Sequence, residues 1–538
     1  MAESADLILV NGQVLTMDPD NPRARAVAVR GKRIAAVGAD EEVKSLRGAN
    51  TQVVDLQGRT LLPGLIDAHC HLALYGLYLT GLDCRYPAVR SVADIAGLVH
   101  RRAAETPPGE WIVGWGYDHK KLAEARHPTR RELDAAAPDN PVLLVRTDYH
   151  TSVANSAALA LEGIDAGAPD PKGGRIGRGD DGQPNGLLVD AAHMGMAKWA
   201  LPDDAGFADV IRRGGERLLR LGITTVHDAG GFGWPQFHAF RHGWENGKLP
   251  LRLYALVFSL MDAEATFRSF TGTGIGTGLG DDWFRLGHMK FMVDGSSSGP
   301  SAAVRQPYDS CPHDHGILYF TQEEIDEAMA LAASRGFNVT SHAVGDRGVE
   351  MVIHAINHAA GHARPSMKWR PRIEHCGMVD EAMLADIRKA GIVPTPQPTF
   401  CYDFGDGYLT DYGERTRYMF ACRSFIDHGI TAAGSSDCPV TDPDPLLGIR
   451  TAVRRVSRKG VPVGPEQRIS VGEALRLYTR NGAYASFDEN RKGSLAAGKL
   501  ADLAVLSHPI LDLADEALDE VRCVGTVLDG QVVFAEGL

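Results

Sequence analysis

Between residues 5 and 60 the apolar positions fall in short runs broken by turn formers. Leu7-Ile8-Leu9-Val10 gives way to Asn11-Gly12 and then to Gln13-Val14-Leu15-Thr16-Met17. Ala26-Val27-Ala28-Val29 is followed by Arg30-Gly31-Lys32 and Ile34-Ala35-Ala36-Val37. Asn-Gly between two β-rich runs predicts a hairpin, because its turn needs positive φ at both central residues. The same texture returns at the far end, in Ala501-Asp502-Leu503-Ala504-Val505-Leu506 and in residues 524–533 with Asp529-Gly530 as a turn. Two β-rich ends around a different middle predict one β-sandwich domain built from residues 1–60 plus 485–538, since chain ends often lie close together.

From 61 to 484 the pattern changes to short apolar runs alternating with stretches of helical period, the signature of parallel βα units. Strands are predicted at 61–66, 223–227, 251–258, 288–293, 338–342, 372–375, 392–397 and 431–435. Helices lie between them, as at 321–335, where Thr321 and Glu324 form a capping box and Gly336 stops the helix. Eight strands of this kind predict an α/β fold, a (β/α)8 TIM barrel, with its active site at the carboxyl ends of the strands. A long gap separates the first two strands. It contains Trp111-Ile112-Val113-Gly114-Trp115-Gly116-Tyr117-Asp118, a strand-like Val142-Leu143-Leu144-Val145-Arg146 and a Gly/Asp-rich tract. Residues 76–210 are therefore expected to form an inserted subdomain near the active-site mouth, where it would shape substrate choice.

Composition narrows the function. The 538 residues are 44% hydrophobic and 23% charged, with a formal net charge of −12. That balance argues for a soluble protein and against nucleic acid or an anionic membrane as partner. No basic n-region with an apolar h-region opens the chain, and no apolar stretch reaches the ~20 residues a membrane span needs. The eight cysteines are scattered without a CxxC pair, which suggests neither a disulfide framework nor a Cys-type zinc site. A cytoplasmic setting is expected.

Candidate chemistry concentrates at the strand ends. On an extended backbone residues i and i+2 point the same way, so His69 and His71 can aim two imidazoles at one point. Alone, such a pair is more often structural than metal-binding. Lys290, His342, His375 and Asp437 then recur at or just past the ends of later predicted strands. A lysine inside an apolar strand is costly to bury as an ammonium and asks for a carboxylate partner, for which Asp294 is the neighbour expected.

These residues and their surroundings resemble the amidohydrolase superfamily, in particular the amidohydrolase family 3 or YtcJ-like branch that takes in N-substituted formamide deformylase. The resemblance rests on Pro63-Gly64-Leu65-Ile66-Asp67-Ala68-His69-Cys70-His71, Gly222-Ile223-Thr224-Thr225-Val226-His227-Asp228, Lys290 with Asp294-Gly295-Ser296, and Gly434-Ser435-Ser436-Asp437-Cys438-Pro439. It implies two divalent metals, Zn first and Mn, Co or Fe as alternatives, with His69, His71 and Asp437 on one and His342 and His375 on the other. Lys290 would be carboxylated and bridge them. It further implies attack of a metal-activated hydroxide on a small-molecule substrate with an amide-like C–N bond. Asp437 would act as general base and then acid. A homodimer is the assembly the family suggests. A deaminase, an esterase or lactonase, and a non-catalytic scaffold are the competing readings, and the complete ligand set argues against the last. Cys70 should face away from the ligands and pack. Tyr117, Asp148, His150, His227 and Ser296 are the candidate substrate contacts.

Overall fold

The computed structural model describes residues 4–147, 149–171, 174–198 and 201–537. Seven parallel strands form the central sheet: β1 (Leu65–Cys70), β2 (Ile223–Asp228), β3 (Arg252–Val257), β4 (Phe284–Met292), β5 (Val339–Ala343), β6 (Arg372–His375) and β7 (Val393–Thr395), adjacent in that order. Every residue of β1, β2, β3 and β6 is buried. Helices cover one face and the barrel interior the other, so these strands carry no solvent face and no polar alternation.

Two of the expected strands differ in instructive ways. The run at 431–435 is not a regular strand, yet the chain there closes the barrel. Ala433 N–H donates to Pro394 O of β7 at 2.9 Å, Ala68 N–H to Gly434 O at 3.2 Å, and Asp437 N–H to His69 O at 2.8 Å. Cys70 and Cys438 add a parallel bridge. Two local features interrupt a continuous ladder. Gly434 lies flat on Tyr478, where a Cβ would meet the ring at 2.7 Å, and Asp437 turns to φ +56°. The result is a (β/α)8-type barrel whose eighth position is an irregular extended segment.

The expected first strand, 61–66, is two strands. Thr60–Pro63 pairs with Leu503–Leu506 and Gln13–Leu15 in a terminal sheet. After Gly64 the chain enters β1, which runs on through His69 and Cys70. Gly64 makes the joint because a Cβ there would sit 2.2 Å from Thr224 Oγ1. His69 therefore belongs to the strand itself, and His71 opens the helix Leu72–Thr80.

The chain ends build two sheets. One runs Arg33–Gly38, Ala26–Arg30, Ala5–Val10, Arg47–Asp55; the other runs Gln531–Ala535, Cys523–Leu528, Leu503–Leu506, Thr60–Pro63, Gln13–Leu15, Arg23–Ala24. Leu7, Leu9, Val27, Val29, Leu61, Leu503 and Val505 pack between them, so the sandwich draws on both termini. Between β1 and β2 lies a third, six-stranded sheet from Leu82–Asp83 to Pro184–Asp190, with its own core around Ile95, Leu133, Val142 and Leu144. It is tied to the barrel where Leu72–Thr80 crosses Asp204–Leu219. Gly76 permits that crossing, since a Cβ there would fall 1.9 Å from Val210 O. The helix Gln322–Ser334 carries the expected Thr321–Glu324 capping box. Among the described residues no helix is long and apolar enough to cross a membrane.

Barrel and sandwich are joined by a buried ion cluster. Arg252 of β3, 1% exposed, donates through Nε to Asp502 at 2.6 Å and through Nη2 to Asp529 at 3.0 Å. Arg252→Ala would leave Asp502 without its cation, Asp529 keeping Lys32 at 3.1 Å, and breaking a buried pair costs about 3–5 kcal/mol. Chemical denaturation should show a loss of that size; a loss below about 1 kcal/mol would mean that the joint is held by packing alone.

Candidate metal centre

At the carboxyl ends of the strands one cavity is lined by His69, His71, Lys290, His342, His375 and Asp437 together. They arrive from β1 and its exit, β4, β5, β6 and the closing segment. Both His69 Nε2 and His71 Nε2 lie 3.3 Å from Asp437 Oδ1. His69, His71 and Asp437 can each turn one ligand atom to a common point, all within 4.8 Å of one another. The His375 ring is 4.8 Å from that of His69 and 4.4 Å from that of His342, centroid to centroid.

Each imidazole is held by one nitrogen, which leaves the other for a ligand. His71 Nδ1 meets Gly230 O at 2.6 Å, His375 Nδ1 meets Gln397 Oε1 at 2.8 Å, and His342 Nε2 meets Gly295 O at 3.1 Å. His69 Nδ1 meets Glu374 Oε2 at 2.5 Å. That leaves His69 Nε2 fully buried with no hydrogen-bond partner. A buried ring nitrogen stranded beside a carboxylate is costly unless something fills the gap. A divalent cation fits that donor set of imidazole and carboxylate.

The backbone is strained at the same place. His375, Cys376 and Asp437 have φ of +68°, +46° and +56°, values that non-glycine residues keep only where the surroundings impose them. The turn at His375 brings it and its neighbour Glu374 to the same region, against the usual alternation of a strand.

Electrostatics favours a ligand role for Asp437, Lys290, His342 and His375. Burial pushes the Asp437 carboxyl up, but the His69 and His71 imidazoles outweigh it and hold the pKa well below the usual carboxylate range. Burial lowers Lys290, against the pull of Glu374, Asp437 and Asp228. Its Nζ donates only to Ala229 O, at 3.2 Å, and lies 4.9 Å from the centre of the Phe258 ring. Burial, with His69 beside it, lowers His375 to about 3, and burial with His375 beside it takes His342 well below its ordinary value. Both stay neutral and able to ligate.

The remaining candidates divide. His150 and Ser296 line the cavity. Tyr117 does not: it is buried in the inserted sheet, where its hydroxyl meets His127 Nδ1 at 2.8 Å. His227 lies inside the barrel and accepts from Arg372 Nη1 at 2.9 Å, away from the cavity lining. Asp148 falls outside the described residues. Cys70 is fully buried beside Cys438 and packs as expected. Asp294 is not the partner of Lys290. Four residues along a strand is roughly 13 Å, and its carboxylate accepts instead from the N–H groups of Ala303, Val344 and Gly345 at 2.8 to 3.0 Å. Glu374, Arg372 and Gln397 escaped the sequence reading. The signal for the first two is an Arg-x-Glu pair at strand spacing directly before His375. Tyr149, between two residues that were singled out, also lines the cavity.

Barrel, sandwich and histidine–carboxylate cluster together define a hydrolase of the metal-dependent barrel class. Residues 52–534 match the model of the amidohydrolase family, and the chain belongs to that family. It is 32% identical to N-substituted formamide deformylase of Arthrobacter pascens over 98% of each chain. It is 29% identical to the putative amidohydrolase YtcJ of Bacillus subtilis, over 97% of this chain and 98% of the relative. The protein LONG AFTER FAR-RED 3 of Arabidopsis thaliana is 31% identical over 94% of this chain and 87% of its own. A solved metal-dependent hydrolase from Pyrococcus horikoshii shares the fold, with a TM-score of 0.78 at 23% identity over 95% of this chain and 99% of its own.

Asp294 gives a test of how the cavity floor is held. Asp294→Ala strands three buried backbone donors and should cost about 3 kcal/mol in chemical denaturation. Asp294→Asn, whose amide oxygen still accepts, should cost less. Equal stability of the alanine variant and the wild type would refute the clamp.

Proposed function

We propose that this protein hydrolyses a C–N bond of a small amide or formamide, using two divalent metals held in the barrel mouth. One observation carries the reading: six side chains from four strands and the closing segment share one cavity, and among the described residues the buried His69 Nε2 has no hydrogen-bond partner. The 32% identity to a formamide deformylase supports the bond class.

His69, His71 and Asp437 would hold one metal, and His342 and His375 the other; Zn is the first choice, with Mn, Co or Fe as alternatives. The metals would supply Lewis acidity, lowering the pKa of a water and polarising the scissile carbonyl. Lys290 has a chemical task of its own. Burial lowers its pKa and so raises its share of neutral amine, the form that can add to carbon dioxide, releasing one proton and giving an anionic carbamate. That anion would bridge the two cations.

Asp437, whose pKa is held well below the usual carboxylate range, lies 3.3 Å from Nε2 of both ligand imidazoles, so it can take the proton of the attacking water. It then returns that proton to the leaving nitrogen. Leu74, Phe258, Met292, Val344, Phe400 and Val440 supply apolar wall around the cluster, which limits water and strengthens the charges inside. His150 and Ser296 are the polar groups of the wall best placed to orient a substrate.

Metal analysis of the purified protein should find about two divalent ions per chain. Lys290→Ala should lose much of that metal together with activity on a panel of N-formyl and N-acyl amines. Full metal and full rate in that variant would sink the bridging role. Asp437→Asn should fold normally and lose roughly 10²–10⁴-fold in rate, the range for a positioned acid–base group; a loss of less than tenfold would remove Asp437 from the proton path.

A further inference from the structure

Of the four histidines at the centre, three lean on neutral oxygens: two on backbone carbonyls and one on an amide. His69 instead makes its short contact, 2.5 Å, with a carboxylate, where His342 has Asp294 no nearer than 3.5 Å beside its carbonyl. That carboxylate is itself elaborately held. Glu374 is fully buried, and its two oxygens take Arg372 Nε and Nη2 at 2.9 Å each, Thr340 Oγ1 at 2.6 Å and Thr395 Oγ1 at 2.8 Å, besides His69. Arg372 is fully buried too, and its remaining donors go to Ala68 O at 2.6 Å and to His227 Nδ1 at 2.9 Å.

We propose that Glu374 is the positioning residue of the metal centre, acting through His69, and that Arg372 and His227 exist to hold it. The inference rests on the metal-dependent reading of the site and extends it to residues outside the ligand set. A buried carboxylate on Nδ1 fixes the imidazole as the Nδ1–H tautomer, so the lone pair sits on Nε2, the atom that faces Asp437 and has no hydrogen-bond partner. It also makes the ring a stronger donor than an imidazole resting on a carbonyl. An unpaired buried carboxylate would cost several kcal/mol, and Arg372 removes that cost with a two-point fork. Arg372 in turn has the two Nη1 N–H groups left over, one of which meets His227, and a neutral histidine is an acceptor that adds no second charge. Burial, with Arg372 beside it, takes His227 well below its ordinary pKa, consistent with that neutral acceptor. Arg372 also donates to Ala68 O, so the fork that holds Glu374 fixes the backbone one residue before His69.

The test is zinc affinity, measured by competition with a chromogenic chelator on the full chain. Glu374→Gln should weaken the tightest zinc by 10- to 100-fold, the usual effect of losing a partner behind a ligand. Because that variant strands the Arg372 cation, the double variant Arg372→Met/Glu374→Gln is measured beside it, together with the thermal midpoint of each metal-free protein. The double variant should unfold within a few degrees of wild type and still show the weakened zinc. Wild-type zinc affinity in the double variant would overturn the positioning role while leaving the hydrolase reading intact. A wild-type chain that binds no zinc, manganese, cobalt or iron would overturn both.

Discussion

The site depends on how the barrel is closed. A parallel barrel is complete only when its last segment lies beside its first strand, and here that segment is residues 433–438. Its hydrogen bonds reach β7 on one side and β1 on the other, and they do so at the level of the histidines. The bond from Asp437 N–H to His69 O ties a carboxylate and an imidazole ligand to one another through the backbone before their side chains meet. An irregular segment suits this task better than a regular strand. A strand would point Asp437 by strict alternation, whereas the left-handed turn at that residue aims its carboxylate across to both His69 and His71.

Around this seam the chain separates tasks. β1, β4, β5 and β6 supply the ligand-type side chains, the neighbouring carbonyls and amides orient them, and the inserted sheet brings Tyr149 and His150 to the rim. The sandwich contributes no residue to the cavity lining. It acts through Arg252, Asp502 and Asp529, which hold the base of β3 against the C-terminal sheet. The histidine and carboxylate cluster, the cavity rim and the anchorage thus come from different parts of the same fold.

Much of this was legible in the sequence, for physical reasons. Parallel strands buried on both faces read as short apolar runs, so the barrel order could be followed, and the six polar residues that interrupt the ends of those runs share one cavity. The misreadings have physical causes as well. Thr60 to Ile66 is a mostly apolar run in which Pro63-Gly64 is the one local sign of a break; that Gly64 divides it between two sheets follows from Thr224, which lies far along the chain. Lys290 was assigned the carboxylate nearest in sequence, but along a strand nearness in sequence is distance in space. His227 has the residue type of a ligand at a strand end, and only the position of Arg372 shows that it faces a guanidinium. Glu374 went unread because alternation gives a strand end to one of two neighbours, and the backbone turn at His375 gives it to both.

The joint at Gly64 and the seam at Asp437 also fix when the protein can become active. Asp67 and Ser436, which hydrogen-bond beside the ligands, are 369 residues apart, and the strand that leads into β1 pairs with Leu503–Leu506. At about 5–20 residues per second of synthesis, roughly 20 to 70 s separate the appearance of His69 from that of Asp437. During that interval the first barrel strand lacks its closing neighbour, and the run from Thr60 to Pro63 lacks its partner Leu503–Leu506. Two of the six side chains that share the cavity are made early and wait, so assembly of the site is coupled to completion of the chain.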